Sequence, residues 1–460
     1  MLADVRYALK WLVREPGFAA VAILSLGVGI GFNTALFSIV DALLFRPLPV
    51  ERPDRLVDVY TRGADGDTYA TNSYPDFLDF QAKNTVFTDM LGYSPSIAAV
   101  KAGDRSRMAL GEVVSGNYFQ VLGIHAAIGR TLLPEDDRKG APRAAVISHA
   151  VWRRDFGADP SALGRTLLIH GQPYAIVGVA PQTFTGMLPV LQPELWTPIA
   201  WVEDVEPAGI QDVVPSPTGT SRIDRRGQRW LFARGRLKDG ETSARAQAEL
   251  ALLMDRLAVE YPKTNDKRPI MTATNVRLHP QADKALRAIA LGLMVAIGLV
   301  LVVACANVTN MLLARASGRR REIGIRLAIG ASRARLMRQL LTESVVLAAL
   351  GAITGIAFAA VALQVISALP LPIPIPIALA LHVDARVLVF TIAVATAAGL
   401  LAGLAPATRA THADLVADLK GDAVLTRGGR RWTLRDGLVV LQTAVTLVLL
   451  VAAGLLTRSI

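Results

Sequence analysis

The chain has 460 residues, 52% of them hydrophobic and only 6% aromatic, with a mean hydropathy of +0.39; it is too apolar for an ordinary soluble domain, and the clustering of its apolar residues marks membrane spans. The net charge is +11, yet residues 46–284 carry 29 Lys/Arg against 28 Asp/Glu, so the one long polar stretch offers no basic stripe for nucleic acid. A single cysteine, Cys305, rules out an intrachain disulfide and sits in an apolar run as a small hydrophobe.

The opening MLADVRYALKWLVREPG (1–17) puts Leu2, Val5, Leu9 and Leu12 on one helical face, with Arg6, Lys10 and Arg14 more polar, and Pro16-Gly17 stops it. It reads as a cytoplasmic amphipathic helix lying on the membrane. The first apolar run, 18–45, exceeds a signal-peptide core and no small-x-small site follows it cleanly, so it reads as a retained span. In the polar stretch, LVDVY (56–60), AAVISH (144–149), TLLIHG (166–171) and YAIVGVA (174–180) are strand-like, the last two forming a hairpin around Gly171-Gln172-Pro173. Pro134-Glu135-Asp136-Asp137 reads as a solvated turn or helix start rather than a cation site. Residues 201–228 are loop-rich, and 241–262 form an amphipathic helix with Ala246, Leu250, Leu253 and Leu257 at helical spacing and Pro262 as its stop. Strands and helices alternate, so the stretch is an α+β domain.

Runs at 286–314, 340–368, 386–408 and 437–457 follow, each near the 20 or so residues that cross a hydrocarbon core of about 30 Å. LPLPIPIPI (369–377) is too Pro-rich for a helix and reads as an external turn. The charge excess lies in 1–17, 315–338 and 409–435. One assignment satisfies the positive-inside rule at every span: those three segments in the cytoplasm, 46–284 outside. The expected domains are therefore 1–17, the amphipathic helix; 18–45, the first span; 46–284, the outer domain; 285–412, three spans with loop 315–338; 413–436, a cytoplasmic linker; and 437–460, a fifth span with nothing in the sequence to receive it.

No phosphate-cradling G-x-x-x-x-G-K-[ST], no H-E-x-x-H and no G-x-S-x-G occurs, so neither a catalytic nor a metal site is expected. The informative segment is RASGRRREIGIRLAIGASRARLMRQLLTES (315–344). Topology accounts for its arginines, and anionic lipid would satisfy them. Topology does not call for its apolar edges: Ile323 with Leu327, and Ile325 with Ile329, on a short helix carrying the Glu322–Arg326 pair. Gly330 reads as a helix stop and Ser332 as the cap of the next helix. An apolar ridge rimmed by arginine fits a groove on another protein. Asn307 and Asn310, three apart in the second span, are expected to bond to another span or a partner subunit rather than to substrate.

Arg321-Glu322-Ile323-Gly324-Ile325-Arg326-Leu327-Ala328-Ile329-Gly330-Ala331-Ser332 closely resembles the loop of MacB/FtsX-like ABC transporter permeases. VVSGNYFQVLGIHAAIGRTLLPEDD (113–137), VWRRDFGADPSALGRTLLIHGQPYAIVGVAP (151–181) and 233–265 are similar to that family's periplasmic core domain. The stretch 29–57 most resembles the duplicated orphan permeases of acidobacteria. The resemblance implies a multi-span α-helical protein of the inner membrane with a large extracytoplasmic α+β domain. Its implied role is mechanotransmission, driven by an ABC ATPase supplied in trans that binds ATP and Mg, while this chain binds no cofactor itself. It also implies that Arg321, Glu322, Ile323, Gly324, Ile325, Arg326, Leu327 and Gly330 dock the ATPase. Two departures are read from the sequence: no ATPase is fused, and the chain ends one helix into what looks like a second permease half, as a fragment would. The alternatives are a regulator of an envelope enzyme and an orphan binding module; substrate is not legible.

Overall fold

The computed structural model describes residues 2–46, 48–63, 68–103, 105–187, 192–205, 221–274, 279–318, 325–326, 329, 332–368, 384–411 and 434–459. Its helices are α1 (Leu2–Arg14), α2 (Pro16–Val40), α3 (Tyr74–Lys83), α4 (Tyr118–Leu122), α5 (His149–Phe156), α6 (Val202–Val205), α7 (Ser243–Glu260), α8 (Pro262–Asn265), α9 (Pro280–Gly318), α10 (Arg333–Ala368), α11 (Ala385–Thr411) and α12 (Leu434–Ser459). Its strands are β1 (Leu56–Thr61), β2 (Phe87–Ala102), β3 (Arg105–Val114), β4 (Ile128–Gly129), β5 (Ala144–Ile147), β6 (Thr166–Ile169), β7 (Gln172–Val179), β8 (Leu195–Pro198), β9 (Phe232–Leu237) and β10 (Ile270–Thr274). The described residues fall into two units: those within 2–42, 287–368 and 384–459 form a helical one, and those within 43–286 a mixed one.

Among the described residues of the whole chain, four helices are long and apolar enough to cross a membrane: Pro16–Phe45, Pro280–Arg315, Arg333–Ile366 and Ala385–Leu404. The last helix contributes only a shorter apolar stretch, Asp436–Val451. In the helical unit α2 packs on α10, and both meet α11, around Leu26, Ile30, Leu347, Ala348, Ala398 and Ala402. Lipid tails give no hydrophobic reason for helices to associate, so close approach at small residues must supply the contact. Here α2 offers Gly27 and Gly31 to Gly351 and Gly355 of α10: a Cβ added to Gly31 would lie 2.9 Å from the Gly355 carbonyl oxygen.

The mixed unit is built on a ten-stranded sheet in the order β10-β1-β9-β2-β3-β8-β5-β7-β4. β6 pairs with both β2 and β7, which closes β2, β3, β8, β5, β7 and β6 into a ring. Only the β3/β8 and β5/β7 pairs are parallel. The expected hairpin forms, but one step earlier: His170 and Gly171, both at positive φ (46° and 82°), make the two-residue turn, and Gln172 and Pro173 already belong to β7. The expected amphipathic helix is α7, capped by Thr242 through its acceptance from Arg245 N, with Ala246, Leu250, Leu253 and Leu257 buried. AAVISH is split: β5 ends at Ile147, and Ser148 caps α5.

Candidate functional site

The loop between the second and third spans is positioned from both sides. Ser332 caps α10 as its sequence suggests, accepting from Arg335 N at 3.3 Å. Ahead of it Ile329 N donates to Ile325 O at 3.0 Å, one helical turn. Both isoleucines face out, at 47% and 81% exposure. Arg326, between them, turns the other way: its guanidinium lies 3.4 Å from Gln339 Oε1 and 3.5 Å from Tyr7 Oη. Arg321, Glu322, Ile323, Gly324, Leu327 and Gly330 lie outside the described residues.

Two further arginines bind α1 to the same region. Arg315 pairs with Glu15 at 3.0 Å, and its guanidinium stands 4.2 Å from the Trp11 ring centroid and 5.1 Å from that of Phe18. Arg338 approaches Asp4 at 3.5 Å. These contacts correct the expected face of α1. Ala8, Trp11 and Leu12 are buried against the bundle, whereas Val5 and Leu9, grouped with Leu12 by periodicity, point outward with Val13. Both sides of this short helix are apolar enough for burial, and Trp11 with its Arg315 partner decides between them.

Inside the bundle, Asn307 and Asn310 are half-buried, and neither side chain makes a hydrogen bond among the described residues; Asn310 Oδ1 is buried. The bonds between spans are made by residues the sequence reading passed over. Asn33 Nδ2 donates to Ile297 O at 3.2 Å, Thr34 and Thr391 hydroxyls meet at 3.0 Å, and Thr309 Oγ1 donates to Ala402 O at 3.3 Å. Asn33 carried the same signal as Asn307, an amide inside an apolar run. A threonine satisfies its own helix first, as Thr309 does with Cys305 O at 2.7 Å, and so is silent in sequence. Cys305 is buried, as expected.

In the mixed unit the acidic turn is not solvated. Glu135 is exposed, but Asp136 accepts both terminal nitrogens of Arg130 and the amide of Leu133. Asp137 takes Ala200 N at 2.7 Å and Gly116 N at 3.2 Å, stapling the ends of the parallel strands β3 and β8. Burial pushes the Asp137 carboxyl up to about 7, with the backbone amides pulling it down and Asp136 adding to the rise. A folded value above the unfolded one of about 3.9 means that protonation favours the native state. That contribution is fully present below about pH 4 and is lost as pH rises to about 7. Amide exchange at β3 and β8 should therefore accelerate from pH 5 to pH 8 beyond its chemical trend, and Asp137→Asn should flatten the profile. An unchanged profile in the variant would assign the dependence elsewhere. Among the described residues no group of three or more His, Cys, Asp or Glu could hold a metal ion. A cleft of about 430 Å³ beside β9 is lined by Arg52, Arg55, Arg236 and Lys238, with Arg52 and Arg55 on Asp239 and the other two on backbone carbonyls.

The MacB-like periplasmic core domain matches residues 19–253, and the FtsX-like permease C-terminal domain matches 294–415. A macrolide export ATP-binding/permease protein MacB of Burkholderia thailandensis is 30% identical over 249 residues, covering 54% of this chain and 34% of that protein. A probable syringafactin export ATP-binding/permease protein of Pseudomonas syringae pv. tomato is 29% identical over 245 residues, 53% of this chain and 32% of its own length. The chain thus spans about a third of the length of these relatives. The periplasmic region of MacB from Actinobacillus actinomycetemcomitans superposes with a TM-score of 0.36 at 16% identity, covering 52% of this chain and 94% of that one.

Proposed function

The chain belongs to the MacB/FtsX-like permease family, and we propose that it is the permease subunit of an ABC-type transporter whose ATPase is a separate chain. In this reading ATP and Mg are bound by the partner, and the docking residues are Arg321, Glu322, Ile323, Gly324, Ile325, Arg326, Leu327 and Gly330. Movement of loop 315–338 passes through the first and second spans to the outer domain and drives export or displacement of a substrate there. The proposed location is the inner membrane, with the N-terminus and loop 315–338 in the cytoplasm and 46–284 outside. A second permease half or protomer completes the assembly, and α12 together with Asn307 and Asn310 are its proposed contacts.

One observation carries this reading. Ile325 and Ile329 are exposed a turn apart on an arginine-rich segment between two spans. Positive charge suffices to orient a loop, and two exposed isoleucines add nothing to orientation. They suit an apolar socket on a partner. The test is purification of the native chain from its membranes in mild detergent, with identification of what accompanies it. An ABC ATPase in stoichiometric amount, with hydrolysis accelerated by the permease, is expected. Recovery of an envelope hydrolase and no ATPase would replace transport with regulation.

A further inference from the structure

We infer that α1 is a receptor for anionic lipid headgroups, linked mechanically to the loop that carries Ile325 and Ile329. The helix divides into three strips along its length. Ala8, Trp11 and Leu12 are buried in the bundle. Val5, Leu9 and Val13, four apart, form an exposed apolar strip. Arg6, Lys10 and Arg14, each one residue further on, form an exposed basic strip beside it and make no ion pair among the described residues. In a water-exposed helix an unpaired basic row would be unremarkable. Next to an apolar row, on a helix joined by Glu15 alone to the spanning helix α2, the pair of strips has the composition of an interfacial helix whose cations meet headgroup phosphates. Charge complementarity selects an anionic lipid surface as the occupant.

The link to the loop is formed by Asp4 with Arg338, Tyr7 with Arg326 and Glu15 with Arg315. Asp4 and Glu15 lie at the two ends of the helix and Tyr7 belongs to neither outer strip, so lipid on those strips leaves the three contacts in place. A helix held on the membrane by headgroups thereby holds the start of α10. The loop's role as a docking segment, from the reading above, is why such a link matters; the test contains no ATPase, so the two ideas fail separately.

The full chain is reconstituted into phosphatidylcholine vesicles with or without phosphatidylglycerol, and amide exchange is followed in residues 2–14 and 332–343. Phosphatidylglycerol is expected to slow exchange in 2–14 by about tenfold and to slow 332–343 with it, and high salt should reverse both. Arg6→Gln/Lys10→Gln/Arg14→Gln should remove the lipid dependence in both segments. Asp4→Asn/Glu15→Gln, which leaves the Tyr7–Arg326 contact, should keep it in 2–14 and reduce it in 332–343. Equal exchange in the two lipids, or full dependence in the triple variant, overturns the inference. The same protection from millimolar inorganic phosphate over phosphatidylcholine would mean a free anion rather than a surface, and protection only on adding a protein partner would make the face a protein contact; both overturn it. The salt reversal is read on the unaltered chain, so a variant that fails to fold does not remove the test.

Discussion

Arg234→Met is expected to destabilise the outer domain by about 3–5 kcal/mol, the cost of stranding a buried carboxylate. Arg234 on β9 is 3% exposed and holds Asp58 of β1 through both ends of its fork, Nε to Oδ1 and Nη2 to Oδ2 at 2.9 Å. Burial raises the Asp58 carboxyl even with this guanidinium beside it. Without the arginine, desolvation is opposed only by the weaker pull of His279, and the carboxyl rises further. A raised folded value places the penalty at high pH, so the variant should lose more stability at pH 8 than at pH 5. Adding Asp58→Leu should recover much of the loss, because an apolar pair of similar volume tolerates burial. Amide exchange of β1 and β9 in the detergent-solubilised chain is the readout. Less than a tenfold acceleration for Arg234→Met would mean that water reaches the site.

Gly355→Leu should break the bundle where α2 and α10 cross. A Cβ there meets Gly27 O and Gly31 N, both at 3.0 Å, and backbone cannot step aside as a side-chain tip can. The helices must separate, and contacts around Leu26 and Ile30 are lost with them. Overpacking of this kind costs about 1–3 kcal/mol or more. Gly292→Leu on α9 is the control, because nothing lies within 4 Å of its added Cβ. The thermal midpoint in detergent should fall for the first substitution and hold for the second. Equal midpoints would show that the glycine contact contributes nothing to association.

Elements with one strong period were legible in the sequence. α7 buries one clean stripe, and the hairpin of β6 and β7 turns through Gly171, a residue suited to positive φ, although its partner in the turn is His170 rather than Gln172. The longest strand was not legible. β2 runs sixteen residues through Gly92, Pro95 and several serines and alanines, and it pairs with β3, β9 and β6 at once. In such a strand small residues allow neighbours on every side, and alternation vanishes. Partnerships across the sheet were equally silent: Asp58 in LVDVY looks like the polar position of a half-buried strand, but every residue of β1 is buried and its partner is 176 positions away. At the candidate site the Ile323/Leu327 edge lies outside the described residues, while the sequence supplied the Ile325/Ile329 edge and the Ser332 cap. It did not supply the contacts of Arg315, Arg326 and Arg338 with α1, because a cation's partner depends on packing far along the chain.

The most direct measurement is binding of the co-purifying ATPase to the detergent-solubilised chain, comparing Ile323→Ala, Ile325→Ala, Leu327→Ala and Ile329→Ala with Arg320→Ala across a range of salt. A buried apolar anchor at the centre of an interface is worth about 1–3 kcal/mol, so at least one of the four should weaken binding by roughly tenfold or more. An exposed arginine contributes only about 0–1 kcal/mol through a single ion pair, so Arg320→Ala should change little. The affinity itself should fall only modestly with added salt. If the arginine change abolished binding, salt did the same, and all four apolar changes were silent, the loop would be an electrostatic patch, and docking through an apolar ridge would be contradicted.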